Sequence, residues 1–169
     1  KNYKNCLFLH GPPGIGKTTI ASLILSHYNF EILEFNSSEV RSQKLIKERL
    51  NQVNSNISIL DSLCNKNVKH FGIIFDEIDG VSSGEKGGIG EINNIIFEKG
   101  VNNNSPFICI SNTINKKLDT IKKKSIYLKV KKPNKATMMK ILDKICDSEN
   151  ILVNDSLKML IVSKSTFDI

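Results

Sequence analysis

The run Cys6-Leu7-Phe8-Leu9-His10-Gly11-Pro12-Pro13-Gly14-Ile15-Gly16-Lys17-Thr18-Thr19 constrains this chain more than any other stretch. Leu7 to Leu9 have the composition of a short buried strand, and Ile20, Leu23, Ile24 and Tyr28 recur at helical spacing beyond Thr19. Between strand and helix stand Gly11, Gly14 and Gly16. Glycine reaches backbone angles closed to other residues, so successive N–H groups can turn inward and form a concave anion cradle. The helix that follows adds partial positive charge at its N-terminus.

The turn satisfies G-x-x-x-x-G-K-[ST] in the strand and helix setting that gives the motif its meaning, which makes it a P-loop for nucleotide phosphates. Gly11, Pro12, Pro13, Gly14, Ile15, Gly16, Lys17, Thr18 and Thr19 are the expected nucleotide-binding residues. Lys17 is placed to reach the β and γ phosphates, and the Thr18 hydroxyl to bind Mg²⁺.

Downstream, apolar runs alternate with amphipathic ones. Phe30 to Phe35 reads as a second strand ending in the polar stop Asn36-Ser37-Ser38, and Ser42 can cap a helix to about Leu50. Ile57 to Leu63 is a further short helix. Phe71 to Phe75 is the near-continuous apolar run of a strand buried on both faces. A loop from Gly80 to Gly90, a helix from Ile89 to about Lys99, a strand over Phe107 to Ile110, a basic helix over Lys116 to Lys124 and a strand over Ile126 to Val130 follow. This alternation predicts an α/β fold with a five-stranded parallel sheet flanked by helices. From Pro133 the pattern turns to helix only, with Met138, Ile141, Leu142, Ile145 and then Leu157, Leu160, Ile161 marking two helices, the second capped by Asn154. We therefore expect a nucleotide-binding domain over 1–132 and the start of a small helical lid over 133–169.

Asp76-Glu77-Ile78-Asp79 closes the third strand, and in folds of this kind ligands bind at the carboxyl ends of the strands. Asp76 is placed to hold Mg²⁺, and Glu77 to orient and deprotonate a water aimed at the γ phosphate. Asn112, ending the fourth strand, can hydrogen-bond that water or a phosphate oxygen, or can simply cap a turn. Asn36 ends the second strand in the same way.

The net charge is +7, carried by lysine apart from Arg41 and Arg49. That balance suits a polyanionic partner and equally suits solubility. No apolar run approaches the roughly 20 residues of a membrane-spanning helix, so no membrane partner is expected. The chain enters its first strand without a signal peptide's apolar region. Cys6, Cys64, Cys109 and Cys146 form no C-x-x-C pair and read as reduced core residues of an intracellular protein.

Taken together, Gly11-Pro-Pro-Gly-Ile-Gly-Lys-Thr-Thr19, Glu34-Phe-Asn-Ser-Ser-Glu-Val-Arg-Ser42, Asp76-Glu-Ile-Asp-Gly80, Gly87-Gly-Ile89 and Ile108-Cys-Ile-Ser-Asn112 resemble AAA+ ATPases of the clamp loader group, in particular the replication factor C large-subunit branch. The resemblance implies ATP with Mg²⁺ as ligands and Lys17, Glu77 and Asn112 as catalytic residues. It also implies Thr18 and Asp76 at the metal and Asn36 as a switch between DNA contact and Glu77. Arg41, Lys86, Gly88 and Ile89 would then face the DNA backbone, although spacing alone would leave Arg41 an exposed charge on a helix. Other clamp loader subunits, a sliding clamp and primer-template DNA are the implied partners. The implied location is the nucleus, or a viral replication site in a host cell.

Two departures from the family pattern are informative. Small clamp loader subunits carry Ser-Arg-Cys before the fifth strand, where this chain has Lys123-Lys124-Ser125-Ile126, so no arginine is donated to a neighbour from here. The sensor 2 arginine, the third lid element and the collar are expected beyond Ile169. Rival readings are another AAA+ DNA-processing ATPase, a small-substrate P-loop kinase, and a nucleotide-gated scaffold that does not hydrolyse.

Overall fold

The computed structural model describes residues 4–40, 48, 70–81, 88–97 and 105–165. Five strands, Cys6–His10 (β1), Glu31–Phe35 (β2), Phe71–Phe75 (β3), Phe107–Ser111 (β4) and Ile126–Lys129 (β5), pair in parallel in the order β2-β3-β4-β1-β5. The expected α/β architecture is therefore present. Its strand order inserts β4 between β1 and β3, so the strand that leads to Asn112 lies beside the one that leads to Asp76, as the usual order for this class has it.

Alternate side chains along the central strands go to opposite faces of the sheet, and both faces are covered. Phe8, Ile73, Phe75, Phe107 and Cys109 enter one core with Ile92, Ile95, Ile96 and Ile121. These four isoleucines come from the helices Gly88–Phe97 (α3) and Asp119–Lys124 (α4). Leu9, Ile74, Ile108 and Ile110 enter the other core with Ala21 and Leu25 of the helix Lys17–His27 (α1). Burial on both faces is why the inner strands read as unbroken apolar runs rather than alternating ones.

Helix α1 turns a different side inward from the one its large apolar residues mark. Its buried residues are Lys17, Ala21 and Leu25, while Leu23 and Tyr28 are 64% and 69% exposed. The phosphate-binding end decides this. Residues four apart share a face, so aiming Lys17 at the strand ends carries Ala21 and Leu25 onto the sheet. Leu25 then packs so closely on β3 that a Cβ at Gly72 would meet its side chain at 2.4 Å.

A short helix, Ser37–Val40 (α2), begins directly after β2, where the sequence reading had only a polar stop before a helix capped by Ser42. Glu39 supplies one half of a capping box, its carboxylate accepting from the Asn36 N–H at 3.3 Å, while the Glu39 N–H donates to the Asn36 backbone carbonyl at 2.9 Å. Apart from Glu48, which is helical, the expected helix from Ser42 to about Leu50 lies outside the described residues, as does the Ile57 to Leu63 helix. The basic segment divides into a 3-10 turn, Lys116–Leu118, and α4.

Of the last two helices, Lys135–Glu149 (α5) and Asp155–Lys164 (α6), the second is capped as the sequence predicts, Asn154 Oδ1 accepting from Leu157 N–H at 2.8 Å; the first is capped by Asn134, which the sequence reading did not single out and which accepts from Thr137 N–H at 2.8 Å. Lys158 Nζ, 2.6 Å from Asp143 Oδ1, links the pair. Met138, Cys146 and Val162 are buried, whereas Ile145, Leu157, Leu160 and Ile161 remain exposed. Helical periodicity located these helices without saying which apolar positions are covered. Cys6, Cys109 and Cys146 are buried free thiols, and no helix among the described residues is long and apolar enough to cross a membrane.

Candidate active site

Three of the four sequence-predicted strand-end features meet because β1, β4 and β3 are neighbours. In the β1–β4 ladder His10 pairs with Ser111, so the turns that begin at Gly11 and Asn112 leave the sheet at one level, joined by Gly11 N–H to Ser111 O at 3.3 Å. Asp76 follows β3 on the other side of β4, and the N-terminus of α1 returns across all three ends.

The glycine loop is held by two distinct demands. Gly16 takes a left-handed φ of 77° at the helix N-cap, a region that side chains resist. Gly11 is pressed against the chain leaving β5, where an added Cβ would lie 2.4 Å from the Val130 carbonyl oxygen. Ile15 is buried beneath the loop. Pro13, Gly14, Gly16, Lys17, Thr18 and Thr19 line an open cavity of about 290 Å³ together with Asp76, Glu77 and Asn112.

Inside this cavity the side chains are already organised. Lys17 Nζ donates to Asn112 Oδ1 and to the Pro12 carbonyl, each at 2.7 Å. Burial holds the lysine below its ordinary pKa, and the charges of Asp76 and Asp79 pull it partly back. An arriving phosphate would bring an anion directly against this cation. Thr18 Oγ1 donates to Asp76 Oδ2 at 2.6 Å, while Asp76 Oδ1 accepts from the Glu77 N–H at 2.7 Å.

Glu77 is exposed at the cavity and adopts φ 52°, ψ 38°, a left-handed conformation that is uncommon outside glycine and asparagine. The twist separates neighbouring carboxylates: Asp76 stays buried against Thr18, and Glu77 opens the 3-10 turn Ile78–Gly80. Two adjacent acids can then serve two tasks.

The donor set fits a magnesium ion. Among the described residues no cluster of three or more metal-ligating His, Cys, Asp or Glu side chains exists, but Mg²⁺ needs none. It takes one or two hard protein oxygens and completes its shell with water and phosphate. Thr18 and Asp76 offer such a pair.

The other candidates are placed less centrally. Asn36 is exposed beyond β2, next to the β3 corner, where Asp76 N–H donates to the Phe35 carbonyl at 2.8 Å. Gly88 is buried and Ile89 half-buried against the core at the start of α3. Arg41 and Lys86 lie outside the described residues. A residue the sequence reading left without a role is Asp79. Its carboxylate accepts from the N–H groups of Asn112 and Thr113 and from the Thr113 hydroxyl. A third acid one turn beyond Asp76 was the available signal; its partner could be named only once β4 was known to lie beside β3.

Against known proteins, the family model for the ATPase family associated with various cellular activities (AAA) matches residues 7–133. Replication factor C subunit 1 of Schizosaccharomyces pombe is 36% identical over 143 residues, which cover 80% of this chain and 15% of that protein. The replication factor C large subunit of Methanosphaera stadtmanae is 35% identical over 150 residues, 86% of this chain and 26% of its own length. The chain thus spans a minor part of these relatives. A solved structure described as "Replication initiator DnaA bound to AMPPCP and single-stranded DNA" aligns with a TM-score of 0.65, covering 95% of this chain and 50% of that one. At 13% identity that likeness is one of fold.

Proposed function

This chain belongs to the AAA family of ATPases, and from that premise we propose that it is the ATP-binding and hydrolysing module of a DNA clamp loader large subunit, loading a sliding clamp onto primer-template DNA. The observation that carries the reading is the 290 Å³ cavity in which Lys17, Thr18, Asp76, Glu77 and Asn112 converge from three adjacent strand ends. The likeness to a replication factor C subunit 1 and to a replication factor C large subunit supports the clamp loader part.

In this reading the amides of the Gly11–Thr19 loop hold the ATP phosphates and Lys17 exchanges its neutral partners for their charge. Mg²⁺, held by Thr18 and Asp76, neutralises charge on the phosphates when bound. Glu77 takes a proton from the attacking water, and Asn112 hydrogen-bonds the water or a γ phosphate oxygen without repelling either. Residues 1–132 act as the nucleotide-binding domain and 133–169 as part of a lid. Asn36, beside the β3 corner, is the link through which DNA contact would reach Glu77, with Arg41, Lys86 and the Gly88-Ile89 helix start facing the DNA backbone. Other clamp loader subunits complete the assembly. It would work where DNA is replicated, in the nucleus or at a viral replication site.

An arginine supplied by a neighbouring subunit can raise such a rate by about 10³ or more. The chain alone is therefore expected to bind Mg·ATP and turn over slowly. The test compares hydrolysis by the full-length protein in its subunit assembly, with and without primed DNA and clamp. Stimulation by both, lost in Glu77→Gln, supports the proposal. Stimulation by DNA with no effect of any clamp would assign the module to another DNA-processing machine, and binding without hydrolysis in every assembly would make it a nucleotide-gated scaffold.

A further inference from the structure

Asn112 follows β4 past the end of its ladder with β3, whose last pair is Phe75 with Cys109. Strand pairing with β3 therefore does not fix where the Asn112 side chain points. The bridging group is Asp79, half-buried in the turn after Glu77. Its Oδ1 accepts from Asn112 N–H at 3.2 Å, and its Oδ2 accepts from Thr113 N–H at 2.9 Å and from Thr113 Oγ1 at 2.8 Å. The Ser111 hydroxyl closes the same turn by donating to the Thr113 carbonyl. One carboxylate thus gathers three donors from two consecutive residues, 33 and 34 positions away in the chain. The result is a turn whose outward amide meets Lys17 Nζ at 2.7 Å.

We infer that Asp79 is a positioning residue: by clamping the Asn112-Thr113 backbone to the corner that carries Asp76 and Glu77, it holds the Asn112 amide in register with the catalytic acid. The inference rests on the reading of Asn112 as a contact of the water or γ phosphate. Asp79 does not line the cavity and touches the site through that amide, its charge acting on Lys17 only at longer range, so it governs the rate of the chemical step more than nucleotide affinity. A rigid amide aligned before reaction spares the reorganisation that a mobile one would require.

The test is single-turnover hydrolysis of Mg·ATP by the whole chain, alongside titration with a fluorescent ATP analogue, for Asn112→Ala, Asp79→Ala and the double variant. Asn112→Ala and Asp79→Ala are each expected to slow the step by about tenfold, the scale of a lost charged hydrogen bond, with affinity within about threefold of the parent. The double variant is expected to be no slower than Asn112→Ala. Multiplicative losses, or an Asp79→Ala whose affinity falls as much as its rate, would overturn the inference and leave Asp79 structural. If Asn112→Ala itself keeps the parent rate, the reading of Asn112 fails and this inference with it. A slow Asn112→Ala beside a normal Asp79→Ala sinks the inference alone. Should Asp79→Ala not fold, Thr113→Val decides: Thr113 is exposed, its hydroxyl is one of the three donors, and a rate about two- to fivefold lower is expected, an unchanged rate counting against the clamp.

Discussion

Lys17 Nζ and Asn112 Oδ1 lie 2.7 Å apart although 95 positions separate them in the chain, because β1 and β4 are hydrogen-bonded neighbours whose turns start at one level. The contact joins the cation of the phosphate loop to the neutral amide of the adjacent strand end.

That contact leads to unequal effects for its two partners. Lys17 is 5% exposed and held below its ordinary pKa by burial, so Lys17→Ala removes a charge that the fold disfavours. We expect stability to urea to change by less than about 1 kcal/mol. Affinity for Mg·ATP, measured by calorimetry, should fall by about a hundredfold or more, as two charge-assisted hydrogen bonds are lost. Lys17→Arg is not expected to rescue it, since a planar fork does not replace a compact ammonium.

Glu77 sits at φ 52°, which costs a side-chain-bearing residue about 1–2 kcal/mol. Glu77→Gln should retain nucleotide affinity and lose hydrolysis by at least about a hundredfold, the usual worth of a general base. Glu77→Gly should be as inactive, yet no less stable to urea than the parent, because the relieved strain offsets the extra freedom of glycine in the unfolded chain. A clear loss of stability in Glu77→Gly would mean that the left-handed turn is not strained.

The glycine loop, the acid pair and the apolar strands were legible in the sequence because each is a local pattern whose chemistry leaves few alternatives. What was not legible depends on neighbours in space. The inward side of α1 is set by where Lys17 must aim, and helical spacing among Leu23, Ile24 and Tyr28 carries no information about that. Asp79 shows the same limit: its value as an anchor depends on Thr113, which only the β3-β4 adjacency brings within reach. The Glu39 carboxylate that reaches back to the Asn36 N–H was local and readable, but the serines beside it also fit a strand stop.

Acid should weaken the fold in two separate windows. Burial acts to raise the pKa of Asp79, but the Thr113 hydroxyl and then the backbone N–H groups outweigh it and hold the carboxyl below its ordinary value of 3.8. Its folded pKa is depressed, so its contribution is complete above that value and is lost as pH falls through the lower folded one. His10, hydrogen-bonded to Tyr127 at 3.1 Å, is held below 6.5 by burial and then by Lys129, Lys122 and Lys17, with Asp79 opposing. Here too stability is present above the unfolded value and declines as pH drops below it, since the unfolded chain takes up the proton more readily. Urea midpoints measured from about pH 7.5 down to about pH 3 should show both declines. His10→Gln should flatten only the upper one and Thr113→Val should shrink only the lower.

Gly11 and Gly16 of the phosphate loop should fail for different reasons. At Gly16 an added Cβ meets nothing within 4 Å, but the φ of 77° remains, so Gly16→Ala carries the left-handed penalty of about 1–2 kcal/mol with no clash. At Gly11 the Cβ would lie 2.4 Å from the Val130 carbonyl oxygen, and that backbone is not free to retreat, because Val130 N–H donates to the His10 carbonyl at 2.7 Å where β1 holds β5. Relief therefore requires β5 to move away from β1. Gly11→Ala should cost about 2 kcal/mol or more, toward the upper end for overpacking. It should also raise hydrogen exchange at the amides of Leu128 and Val130, whereas Gly16→Ala leaves those amides protected and weakens Mg·ATP binding instead. Equal exchange in the two variants would show that the β1-β5 seam absorbs the extra methyl, and that the loop rather than the sheet yields at Gly11.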